Sequence, residues 1–98
     1  MGQVLKSVDA LLESRLAQAA NGNPRACFDL GIAYSTGAAG VEVDLVAAHK
    51  WFNLAALGGH AEAQACRAEI SEDMTAREIA EAQRQARAWL QLTIRQAA

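Results

Sequence analysis

The sequence predicts an all-α fold, a short α-solenoid of about five helices. Three observations point to it. Alanine is abundant while valine and isoleucine are few, and alanine both favours helix and lets helices approach closely. Apolar residues recur at three- and four-residue steps along the chain. The one proline and seven glycines sit between apolar runs, so the elements are long and separated by turns.

The first helix is expected over residues 3–20. Val4, Val8, Leu11, Leu12 and Leu16 form its apolar stripe, and Asn21-Gly22 ends it with a left-handed glycine. The second opens at Asn23-Pro24, where asparagine caps the free amides and proline fits the first helical turn. It runs to about Ser35 or Thr36, with Ala26, Cys27, Leu30, Gly31 and Tyr34 on one face. Gly31 inside a helix costs up to about 1 kcal/mol relative to alanine, which implies a backbone closely approached by a neighbour. Residues 37–43 form the connecting loop. Asp44 caps a third helix to about Leu57, whose apolar face holds Leu45, Ala48, Trp51, Phe52 and Ala55. Gly58-Gly59 stops it. A fourth helix covers about His60 to Glu72, with Ala63, Cys66 and Ile70 as its periodic positions. Thr75-Ala76-Arg77-Glu78 is a capping box that starts a fifth, striped by Ile79, Ala82, Ala86, Trp89, Leu90 and Ile94.

The chain of 98 residues makes one small domain, residues 1–98. It divides into an N-terminal helix (3–20), a full helix pair (24–57) and C-terminal capping helices (60–95). A hydrophobic content of 52% excludes a disordered chain. Net charge is −2 with no block of like charge, which disfavours nucleic-acid binding. No apolar run approaches the roughly 18 residues of a membrane span. Lys6, Asp9, Glu13 and Arg15 interrupt the first apolar stretch, so it does not read as a signal peptide, and Lys6 breaks the myristoylation pattern. A cytoplasmic location is the simplest expectation. Cys27 and Cys66 read as buried small apolar side chains rather than a disulfide framework.

A weak internal repeat maps Ala10, Ala19, Gly22 and Ala26 onto Ala47, Ala56, Gly59 and Ala63. Repeats of this period indicate a solenoid. The copies are unequal, since Leu30-Gly31 maps onto Arg67-Ala68 and Tyr34 onto Ser71. The fourth helix therefore reads as a repeat converted to a capping element.

The run Ala26, Leu30-Gly31, Tyr34, Gly37, Gly40-Val41, Asp44, Ala48, Trp51, Ala55-Ala56, Gly59 and Ala63 resembles the Sel1-like repeat. The resemblance implies a tetratricopeptide-like helix pair of a kind found widely in bacterial and eukaryotic adaptor proteins. The chain departs from the family pattern by one extra residue in the loop, where two alanines separate Gly37 and Gly40. The resemblance assigns Ala26, Leu30, Gly31, Tyr34, Ala48, Trp51, Ala55 and Gly59 to the repeat core. It also places the other side of the second helix on a concave groove. That side carries Arg25, Phe28, Asp29, Ile32 and Ser35, the candidate partner-binding residues. Phe28 and Ile32 are one turn apart and suit anchors for a partner peptide or helix; alternatively they pack under the later helices.

No chemical constellation stands out, and neither a catalytic residue, a metal nor a cofactor is expected. His49 and His60 lack metal-ligand spacing and read as exposed or locally hydrogen-bonded. Ser7, Ser14, Ser35 and Ser71 lack a nucleophile-elbow setting. Glu69 and Asp73 read as a solvated face, and Gly37-Ala38-Ala39-Gly40 lacks the lysine of a phosphate loop. Arg84 and Arg87 offer a small basic strip, partly neutralised by Glu78 and Glu81. The expected function is a non-catalytic protein–protein interaction module, an adaptor in a bacterial cytoplasm. The alternatives are a self-associating homodimer and, last, a small enzyme or ligand binder with a site between helices.

Overall fold

Three of the helix starts follow from their caps. A computed structural model describes residues 2–97, with side chains described for residues 10–95. The elements are α1 (Gly2–Ala20), α2 (Pro24–Thr36), a 3-10 turn (Ala38–Gly40), α3 (Leu45–Leu57), α4 (Ala61–Ser71) and α5 (Ala76–Ala97). Asn23 Oδ1 accepts from the amides of Arg25 (3.0 Å) and Ala26 (3.3 Å), and Pro24 takes the first helical position. Asp44 Oδ1 accepts from the Ala47 amide at 3.1 Å. The Thr75–Glu78 box closes reciprocally: the Glu78 amide donates to Thr75 Oγ1 at 3.1 Å, and the Thr75 amide donates to Glu78 Oε1 at 2.9 Å. All three starts were expected from the capping residues.

The loop between α2 and α3 accommodates its extra residue at a conformational cost. Gly37 and Gly40 both have positive φ (81° and 75°), and Ala39 between them is also left-handed at φ 58°. An L-residue with a Cβ pays roughly 1–2 kcal/mol there. The Asp44 amide donates to the Tyr34 carbonyl at 2.9 Å, tying the start of α3 to the end of α2.

Helix α3 is the centre of the fold. It packs on α2, α4 and α5, while α1 lies against α2 and the 3-10 turn. Among the described residues α4 and α5 barely touch. The tightest approach is between α2 and α3 at Gly31. A Cβ built there would lie 2.5 Å from the Phe52 ring, and Phe52 is itself fully buried. Phe28 adds a second ring, 5.8 Å from Phe52 between centroids. Leu30, Ala48, Ala55 and Ala63 complete this interior with no exposed surface. Trp51 is also buried, but its large partner is on α5: Trp89 meets it edge-on, with centroids 4.9 Å apart and planes at 75°. Lys50 Nζ lies 4.5 Å from the Trp51 ring centroid and 5.4 Å from that of Trp89. Burial lowers the Lys50 pKa, and Asp44 opposes that shift.

The structure corrects parts of the expected stripes. Leu11 is exposed, because α1 packs chiefly on α2 and needs only a narrow stripe of Leu12, Leu16 and Ala19. Val4 and Val8 lie outside the described side chains. Ile94 is 65% exposed rather than buried. The reason is length: α5 has 22 residues and α3 has 13, so at about 1.5 Å per residue α5 outruns the helix it packs on. Tyr34 is half-buried and Gly59 is exposed at φ 98°, a turn residue rather than part of the interior.

Candidate functional site: the groove between α2 and α4

The candidate residues on α2 divide by depth. Phe28 is only 9% exposed, and its ring stacks on His60 with centroids 4.1 Å apart and planes at 17°. It is part of the interior and offers little surface to a partner. Arg25 and Asp29 form an i, i+4 ion pair at 3.1 Å on the outer surface, and the Arg25 guanidinium lies 5.8 Å from the Phe28 ring centroid. Such an exposed pair contributes little to stability. Ile32 and Ser35 are half-buried and line a groove.

That groove, of about 300 Å³, runs between α2 and α4 over α3. Ile32, Ser35 and Thr36 form one wall, Cys66, Glu69 and Ile70 the other, and Phe52 the floor. Its hydroxyls are already satisfied: Ser35 Oγ and Thr36 Oγ1 both donate to the Ile32 carbonyl, at 3.1 and 2.7 Å. The groove therefore presents an apolar floor and leaves few polar demands unmet. Charge enters from α4. Glu62 and Glu69 both act on Cys66, whose pKa is raised by burial and then by these two carboxylates. Glu62, Glu69, Glu72 and Asp73 are exposed, and among the described residues none is ion-paired. The one arginine of α4, Arg67, instead donates to Asn53 Oδ1 of α3 at 2.7 Å.

Residues that sequence reasoning left out of the site are therefore Thr36, Phe52, Cys66, Glu69 and Ile70. The spacing Glu62-Cys66-Glu69, one helix face at steps of four and three, was the available signal.

Both histidines depart from expectation. His49 is 3% exposed, and its Nδ1 has no hydrogen-bond partner; His60 Nδ1 is likewise buried and without one. His49 sits on the one helix that three others cover, so nearly every position on α3 faces protein. Burial, and secondarily Arg67, lower its pKa. Burial pushes the Cys27 thiol up to about 11, which suppresses the thiolate that a nucleophile needs. Cys66 is half-buried rather than fully enclosed. Among the described residues no hydrogen bond joins a cysteine to a histidine, no cluster of three metal-ligating side chains occurs, and no helix is long and apolar enough to cross a membrane.

Two further concavities lie elsewhere. A broad cleft of about 630 Å³ sits where the loop meets α3, beside Tyr34, Asp44 and Glu78. A smaller apolar pocket of about 210 Å³ lies between the ends of α1, α3 and α5, with Cys27, Leu57 and Trp89 in its lining. Neither is lined by a histidine.

Helices α2, α4 and α5 packed on a shared α3, with side-chain caps starting α2, α3 and α5, define a short tetratricopeptide-like helical repeat. Residues 24–60 match the family model of the Sel1 repeat, and the chain resembles the Sel1-like repeat family over α2, the loop and α3. The match points to a protein–protein interaction module, of a family that is generally non-catalytic. No curated protein and no solved structure matches the chain.

Proposed function

We propose that the protein is a non-catalytic adaptor module that receives an apolar side chain of a protein partner in the groove between α2 and α4. The observation that carries this reading is the groove's composition: an apolar floor at Phe52, walls at Ile32 and Ile70, and a free carboxylate rim at Glu69. A hydrophobic centre with a polar rim is the usual anatomy of a protein-binding surface. Ile32 and Ser35 are its contact residues on α2. Arg25, Phe28 and Asp29 lie outside its lining, Arg25 and Asp29 as an ion pair on the outer surface and Phe28 against the Phe52 ring. The unit over residues 1–98 acts as one domain, located in the cytoplasm.

The test uses a photo-crosslinker in place of Ser35, with Glu13 on α1 as the control position. Capture of a protein from Ser35 alone, reduced by Ile32→Ala with Glu69→Lys in a variant of unchanged helicity, supports the groove. Equal capture from both positions removes it.

A further inference from the structure

An apolar groove with the Glu69 carboxylate on its rim is complementary to a cationic segment with an apolar tip, and the chain carries such a segment in the last turns of α5. Residues 82–98 contain Arg84, Arg87 and Arg95 and no acidic residue. Arg84 is ion-paired with Glu81, whereas Arg87 and Arg95 are exposed and, among the described residues, form no ion pair. Between them α5 exposes Leu92 (51%) and Ile94 (65%). Arg87 and Ile94 are seven residues apart, two turns along one face, with Arg95 beside it. The free carboxylates of the molecule's α4 lie opposite in sign to this strip.

The two surfaces cannot meet within one chain. The α5 helix is held on α3 through Ala82, Ala86 and Trp89, it barely touches α4, and its Ile94 remains in solvent. We infer that the α2/α4 groove of one copy receives the C-terminal end of α5 from a second copy, Ile94 meeting Ile32 and Ile70 while Arg87 and Arg95 approach Glu62 and Glu69. This rests on the groove reading above and names the groove's occupant. The contact joins two different surfaces, so it is heterologous and leaves one groove and one helix end free at the two ends of every assembly. Such contacts propagate into chains unless the rotation closes a ring.

Sedimentation velocity over a concentration series is the test. Wild type is expected to form a ladder of species beyond the dimer, weakened at least tenfold in affinity by raising salt from about 0.15 to 1 M, where the screening length falls from about 8 to 3 Å. Ile94→Asp and Glu69→Lys each change an exposed side chain and are expected to be monomeric alone. Mixed, they are expected to form a 1:1 species that stops at two copies, because each variant keeps one intact half of the contact. A mixture that stays monomeric, or wild type that is monomeric throughout, overturns the inference. A labelled unrelated cationic amphipathic peptide then separates the two readings: binding that Glu69→Lys abolishes leaves the groove standing with a different occupant, and no binding removes both.

Discussion

Gly31 shows how one missing side chain sets the distance between two helices. A helical glycine replaced by alanine ordinarily gains up to about 1 kcal/mol. Here the added Cβ would meet two atoms of the Phe52 ring at 2.5 Å, and that ring is enclosed. Gly31→Ala is therefore expected to destabilise the protein by about 1–3 kcal/mol, the range for overpacking. In a Phe52→Leu background the same substitution should cost less; an equal penalty in both, measured by urea midpoint, would show that the ring is not the obstacle. The close approach was legible in the sequence, since glycine within an otherwise helical run asks for a reason. Its partner was less so, because Trp51 and Phe52 are adjacent and only the packing of α3 shows that Phe52 takes Gly31 while Trp51 takes Trp89.

His49 makes the opposite point at the same scale. Nothing in its sequence neighbourhood distinguishes a histidine on a solvent face from one on a helix that three others cover. Its folded pKa is lowered from 6.5 by burial, with Arg67 adding to the shift. The unfolded chain then binds more protons at His49 than the folded one as pH falls below about 6.5, so stability is full above that value and declines below it. Urea midpoints between pH 7.5 and 5 should fall, and His49→Gln should flatten that slope. An unchanged slope in the variant would assign the dependence to other groups. Glu81, held down to about 2 by Arg84 and then Gln85, acts in a lower window, losing its contribution as pH falls from 4.5.

Elements were read most reliably where a cap announces them. Asn23, Asp44 and Thr75 each predicted a helix start, because a side-chain oxygen three residues ahead of an orphan amide is a local arrangement that tertiary contacts seldom override. The loop of residues 37–43 was not legible in the same way. Its extra residue could be absorbed in several conformations, and the observed one puts Ala39 at φ 58°. Glycine tolerates that region freely, so Ala39→Gly is expected to stabilise the protein by roughly 0.5–1 kcal/mol, the lost strain exceeding the entropy glycine adds to the unfolded chain. Calorimetry that gives a lower melting temperature for this variant would place Ala39 outside the left-handed region. The groove was legible only in part, for a related reason. Ile32 and Ser35 share a helix and were visible as a face, whereas Glu69 and Ile70 join them only once α4 folds back over α3.

For the whole molecule, the central position of α3 matters more than the number of repeats. Extended repeat arrays have a stability close to a sum over neighbours, and a local lesion stays local. In this chain α2, α4 and α5 all depend on the same thirteen-residue helix. The contact of Trp51 with Trp89, overlaid by Lys50, is the main aromatic link between α3 and α5. Truncating a buried tryptophan to alanine costs about 3–5 kcal/mol, against a total of about 5–15 kcal/mol for a domain. Trp51→Ala is therefore expected to lower the melting temperature by more than about 12 °C, at roughly 4–8 °C per kcal/mol for a domain of this size, and to abolish cooperative unfolding. Hydrogen exchange should show where the loss falls. Amides of α5 lose protection together with those of α3 and α4 if the molecule behaves as one unit centred on α3. Protection lost in α5 alone, with a shift of only a few degrees, would mean that α5 is a detachable cap and that the remaining helices form a repeat stable without it.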